Sequence, residues 1–203
     1  MTPQIFRLVF FMVRIHFTGC KGLREDIRQT CRLPGKERVE FMEIIEKACI
    51  QDLPELESLY RLLCDQQKGD PFTPMWVYGL HPDTPMLKRH IEKGELWIAR
   101  VNGKPAAAMA LVPEGENRQD LGLHLLGVTR EFRGTGLSRR MMDVMDRETG
   151  NGGYKAQVLD VIAGNIRAEK LYLRRGFEMT GRSTLQEGGR LLHFHLYRKE
   201  MPV

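Results

Sequence analysis

Aromatic residues make up only 8% of this 203-residue chain, and its four cysteines, Cys20, Cys31, Cys49 and Cys64, all fall in the first third. They form no C-x-x-C pair and no His/Cys metal spacing. They cannot staple a whole domain, which excludes a disulfide scaffold and points to a reduced, cytosolic setting. There is no internal repeat and no low-complexity tract, and the composition excludes collagen-like, mucin-like and disordered classes. Long apolar runs are missing too. The nearest approach, Ile5–Phe17, is interrupted by Arg7, Arg14 and His16 and is too short to span a bilayer. Phe17-Thr18-Gly19-Cys20 distantly resembles a lipoprotein cleavage box, but Arg14 sits in its apolar stretch and no positive cluster precedes it. Residues 1–40 are therefore expected to be an N-terminal extension, loosely packed or not part of the core, with no membrane attachment. A stretch read through upstream of a start near Met42 would look the same.

What remains is ordinary for a globular domain: 42% apolar and 28% charged residues, with a formal charge of +5. The length suits one domain, taken as residues 41–203. The positive balance favours an anionic partner, and Arg130, Arg133, Arg139 and Arg140 crowd one place. That grouping suits a local anion better than a long polyanion. Interleaved aromatics and a recognition helix are absent, so no nucleic-acid partner is expected.

Hydrophobic periodicity predicts a mixed α/β order. A strand over Glu43–Ile50 precedes a helix whose Leu53, Leu56, Leu59, Tyr60 and Leu63 recur at helical spacing. Residues 65–83, with Pro71, Pro74 and Pro82, form an irregular connection in which Trp76 and Tyr78 are placed to line a pocket. Thr84-Pro85 opens a second helix that Gly94 ends. Strands Glu95–Val101 and Lys104–Val112 flank Asn102-Gly103, the preferred type I′ turn. Strand Leu121–Thr129 leads through a Gly-rich turn into helix Leu137–Arg147 and strand Tyr154–Val161. Helix Asn165–Arg175, a strand from Phe177, a turn at Glu187-Gly188-Gly189 and a last strand Leu191–Arg198 complete the chain.

Two segments carry chemistry. In Arg133-Gly134-Thr135-Gly136-Leu137-Ser138 a strand passes through glycines into a helix start. Such a turn offers unpaired N–H groups and the positive end of a helix dipole to an anion. It has neither the Gly-Lys-Ser/Thr ending of a P-loop nor G-x-G-x-x-G spacing. Taken alone, a tight connection explains it equally well. In the second segment, Asn165 is a natural helix cap and Gly176 suits the left-handed residue past the last turn. Ala168, Leu171, Tyr172 and Arg175 share one helix face. By physics alone, Tyr172 reads as a core aromatic with a tied hydroxyl.

The first segment resembles the R/Q-x-x-G-x-G/A loop of the GNAT superfamily of acyl-CoA-dependent N-acetyltransferases. Ser138 stands where Gly or Ala is usual, and Arg130 where many members have proline. The stretch Asn165 to Phe177, reading N-x-x-A-x-x-L-Y-x-x-x-G-F, resembles the family's second conserved segment almost letter for letter. The likeness covers roughly residues 41–200 and is vague before residue 95.

This resemblance implies a largely antiparallel sheet of seven strands with about four helices and a central splayed β-α-β unit. Acetyl-CoA is then the co-substrate and no metal is needed. Its pantetheine arm would bond to the backbone of Leu126, Gly127 and Val128, and its diphosphate would rest on the amides of 133–138. Asn165 and Tyr172 would approach the thiol end, with Tyr172 as general acid. His124, on the central strand, is the candidate base, directly or through water; Asp120 and Glu95 are lesser options. His193 and His195 alternate on the last strand without a third ligand. The function implied is acetyl transfer from acetyl-CoA to a primary amine of a small molecule or peptide. The alternative is an inactive acyl-CoA-binding sensor or interaction domain. Either leaves room for a homodimer.

Overall fold

A computed structural model of the protein describes residues 24–32 and 38–202. The Ile5–Phe17 stretch and the Phe17–Cys20 box lie outside the described residues. Eight strands form one sheet in the order β1-β2-β3-β4-β5-β6-β8-β7. They are β1 (Arg24–Arg32), β2 (Arg38–Lys47), β3 (Leu96–Val101), β4 (Lys104–Glu114), β5 (Asp120–Val128), β6 (Ala156–Ile162), β7 (Glu178–Glu187) and β8 (Arg190–Glu200). Four α-helices accompany them: α1 (Leu53–Asp65), α2 (Thr84–Glu92), α3 (Leu137–Gly152) and α4 (Ile166–Arg174). Strands β2–β8 and the four helices make the mixed, largely antiparallel arrangement expected from the sequence. Strands β2–β8 are the seven expected, and Arg24–Arg32 adds a further strand at the sheet edge by pairing antiparallel with Arg38–Glu46. Strand β2 also starts and ends earlier than expected, and Ile50–Asp52 forms a 3-10 turn into α1.

Local chemistry accounts for most boundaries. Asn102 and Gly103 both take positive φ, 50° and 78°, as the β3–β4 turn requires. The cap of α2 is Asp83 rather than Thr84: its carboxylate accepts from the Met86 amide at 2.7 Å, with Pro85 in the first turn. Asn165 caps α4 by accepting from the Ala168 amide at 3.2 Å.

Both faces of β3 and β4 are covered, which is why the run Ala106–Leu111 is apolar without alternation. On one face Leu56, Leu59, Tyr60 and Leu63 of α1 and Leu87 and Ile91 of α2 pack on Leu96, Ile98, Ala108 and Ala110. On the other, Leu137, Met141, Met142 and Met145 of α3 pack on Trp97, Met109, Leu121 and Leu123. Side chains of this size contribute about 2 kcal/mol each when fully buried. None of the described helices is long and apolar enough to cross a membrane.

The site is set by the one parallel pairing among the described strands. β5 and β6 are in register over just four pairs, Asp120↔Ala156 to Leu123↔Leu159. Beyond these the strands part, leaving the inner edge of β5 open from His124 to Val128. A bulge strengthens the divergence: Ala108 pairs with Gly127 and Ala110 with His124, so Leu125 and Leu126 both oppose Met109. Leu125 takes a left-handed φ of 56°, and its carbonyl accepts from the buried Tyr60 hydroxyl at 2.9 Å.

Candidate functional site

The gap between β5 and β6 opens into a groove of about 940 Å³. Leu126, Gly127 and Val128 form one wall, and Asn165 with Ala168 and Tyr172 of α4 another. The 65–83 connection supplies the third, through Asp70, Phe72 and Trp76. At one end lie Arg133, Gly134 and Ser138. Gly134 and Gly136 have φ of 80° and 87°, a conformation that favours glycine. The amides of Arg133 and Thr135 close on the carbonyls of Arg130 and Phe132. Those of Gly134, Gly136, Leu137 and Ser138 have no backbone acceptor among the described residues. They form a concave set of donors at the start of α3, matched to a phosphate.

The side chains of this loop behave differently from the expectation that its arginines converge on the anion. Arg140 turns away to the fully buried Glu43 and to the Thr135 carbonyl. Arg133 donates to Asp70 at 2.7 Å and to the Val128 carbonyl at 3.2 Å. Arg167, from α4, reaches the same Asp70 at 2.9 Å. The Arg167 hydrogen bond, with the Phe72 amide and Arg133, holds the Asp70 carboxyl down at about 2. Leu137 is buried in the core and the Thr135 hydroxyl bonds back to Phe132, so both offer the groove main-chain atoms only.

A second cavity, of about 300 Å³, meets the groove at Trp76, Leu126, Asn165, Ala168 and Tyr172. Tyr172 is 7% exposed, packs edge-on against Phe177 at 5.9 Å, and borders both spaces. Its hydroxyl has no hydrogen-bond partner among the described residues. The tied-hydroxyl reading of a core tyrosine therefore does not apply. Burial, and then the charge of Asp160, push its phenol well above the usual value, so it stays protonated at neutral pH.

His124 lines this second cavity, as does Asp160 of β6. The His124 Nε2 lies 2.6 Å from Glu114. Burial works to lower this imidazole, but the hydrogen bond and charge of Glu114, with Asp160 and Glu95 behind them, carry it above its usual value. A third cavity, of about 280 Å³, also contains Glu114, His124 and Asp160. The pair thus links the inner cavity to another opening.

Other expectations sort clearly. Trp76 lines both spaces, but Tyr78 does not: its hydroxyl bonds Glu57 and Thr84, and Arg61 lies 4.0 Å over its ring. Asp120 is held by Arg198 at 2.6 Å and Glu95 by His90 at 2.8 Å, so neither lines the cavity. His195 pairs with Glu169 at 2.8 Å. Among the described residues no group of three or more His, Cys, Asp or Glu is arranged to hold a metal. Sequence reasoning missed Asp160, Glu114 and Asp70. For Asp160 a signal existed: it is the one charged residue in Ala156–Ile162.

Comparison with known proteins agrees with this geometry. Residues 76–198 match the family described as the Acetyltransferase (GNAT) domain. N-acetyltransferase family 8 member 2 of Rattus norvegicus is 28% identical over 109 residues, 51% of this chain. The match spans 47% of that protein, about half its length. A GNAT-family acetyltransferase from Listeria monocytogenes superposes with a TM-score of 0.63 at 23% identity, over 85% of this chain and all of that one. Another, from Elizabethkingia anophelis with acetyl-CoA bound, gives 0.51 at 18% identity, over 70% and 90% of the two chains. The family match covers more than half of the chain, and with the splayed β5–β6 pair and the amide-lined turn it places this protein in the GNAT acetyltransferase family.

Proposed function

We propose that the protein moves an acetyl group from acetyl-CoA to a primary amine by direct attack in a ternary complex. One observation carries this reading: two cavities, one lined by the phosphate-matched turn and one by His124 and Asp160, meet at Tyr172. Diphosphate would lie on the amides of 133–138, and the pantetheine arm would extend the open edge of β5 at Leu126–Val128 as an added strand. That puts the thioester beside Tyr172 and Asn165 and the amine in the second cavity. Asn165 already spends its side-chain oxygen on the Ala168 amide. It therefore shapes the junction by ordering α4.

The incoming ammonium first gives a proton to His124, leaving a neutral amine. Its nitrogen forms a bond to the thioester carbon, and the carbonyl oxygen takes the displaced electron pair. An amide near Val128 can stabilise that oxyanion by about 3 kcal/mol, the scale of other oxyanion donors. Collapse breaks the carbon–sulfur bond. Tyr172 protonates the departing thiolate and regains a proton from the amide nitrogen.

Titration calorimetry with coenzyme A and an acetyl-CoA consumption assay across primary amines test this together. Binding with turnover supports it. Binding without turnover of any amine would reassign the protein as an acyl-CoA-binding module, and no binding would sink both.

A further inference from the structure

The acceptor cavity carries more information than acyl transfer requires. Its walls are mostly apolar, built from Trp76, Leu123, Val161, Ile162, Leu192 and Phe194. At its edge Met75 and Leu185 stand 43% and 50% exposed. Apolar side chains open to water beside a cavity gain by being covered.

Against these walls stands the Asp160 carboxyl, pushed above its usual value by burial, with the imidazoles of His124 and His81 opposing that rise. Among the described residues no ion pair or side-chain hydrogen bond engages Asp160. No described lysine or arginine lines the cavity. Arg190, at the start of β8, donates through Nη1 to the Met75 carbonyl at 3.3 Å and lies 3.7 Å from Glu187, while its Nη2 has no hydrogen-bond acceptor among the described residues. His124 is matched by Glu114, and burial keeps the His81 imidazole below its usual value and hence neutral. A carboxylate brought in here would meet Asp160 and Glu187 with no lysine or arginine in the lining to receive it, a desolvation cost that apolar contact does not offset.

We infer that the acceptor is an amine on an apolar body, alkyl or aryl-alkyl, with no carboxylate beside the nitrogen. Asp160 draws in the ammonium and the apolar walls cover the body. This rests on the acyl-transfer reading and names its substrate class.

Phenethylamine and phenylalanine share an aryl body and differ in the carboxylate, so the full chain is assayed with each. The kcat/KM for phenethylamine is expected to exceed that for phenylalanine by about tenfold or more, and Asp160→Asn to narrow the gap. Asp160→Ser serves as a second variant should the amide disturb β6. Equal or better use of phenylalanine, or a gap unchanged in both variants, overturns the inference. Both amines are also titrated into the protein in the presence of coenzyme A. If no amine is acetylated, acyl transfer fails as a reading, yet tighter binding of phenethylamine sustains the cavity's preference and the reverse order overturns it.

Discussion

Glu114 lies across β5 above Gly122 and places its carboxylate 2.6 Å from the His124 imidazole. A Cβ at Gly122 would sit 2.5 Å from the Glu114 carboxyl carbon, so the glycine is what lets the two residues meet. Four groups act on His124: Glu114 from β4, Asp160 from β6, Glu95 ahead of β3, and His81 from the 65–83 connection. The acidic ones raise its proton affinity, so a base role requires pH above a raised pKa. In Glu114→Gln that support goes while the burial that lowers the imidazole stays. The acidic limb of kcat/KM should therefore move to lower pH, and Gly122→Ala should move it the same way. A limb that stays in place in both variants would remove His124 as the base.

Tyr172→Phe tests the proton donor. Turnover should fall by about a hundredfold, the lower range of general acid contributions, while the calorimetric Kd for coenzyme A holds. Unchanged turnover would take Tyr172 out of the reaction. An equal loss of binding would instead make it a wall of the groove.

Asp70 clasps Arg133 and Arg167 over the groove, and its negative charge competes with incoming phosphates. Asp70→Asn should tighten coenzyme A binding by about 1 kcal/mol, roughly fivefold, and steepen its salt dependence. Weaker binding would show that the clasp orders the groove. The pH dependence of stability follows from the depressed carboxyl. Its contribution is present above the ordinary carboxylate value of about 4 and is lost as pH falls towards about 2. The variant's acid unfolding curve should be flatter across that window.

Tyr60 donates to the Leu125 carbonyl at the bulge and packs against Trp76 at 5.7 Å. Tyr60→Phe leaves that buried carbonyl without its donor, at an expected cost of about 1–3 kcal/mol. Urea unfolding should show a lower midpoint with an unchanged slope. A midpoint equal to the parent's would mean the bulge holds without the hydroxyl.

Much of the scaffold was legible because it is written in short-range chemistry. Asn102-Gly103, Asn165, Gly176 and the paired glycines of the α3 turn each favour one backbone geometry within a few residues. The amphipathic spacing of α1 likewise indicated which side faces the core. The candidate site was legible only where it coincides with such motifs. Arg133 read as an anion ligand because nothing local shows that Asp70, 63 positions away, is its partner. Tyr78 read as a pocket residue although Glu57 and Thr84 tie its hydroxyl.

By itself, then, the sequence determined the element order, the anion-matched turn and the helix bearing Tyr172, since backbone preference and helix capping act over single turns. Only the tertiary structure decided which charges meet. It paired Arg140 with Glu43 and Arg133 with Asp70, brought Glu114 to His124, and left Asp160 without an ion pair in a mostly apolar cavity. The physical reason is that a charge's partner depends on strand register and on where β5 parts from β6, and neither follows from neighbours along the chain.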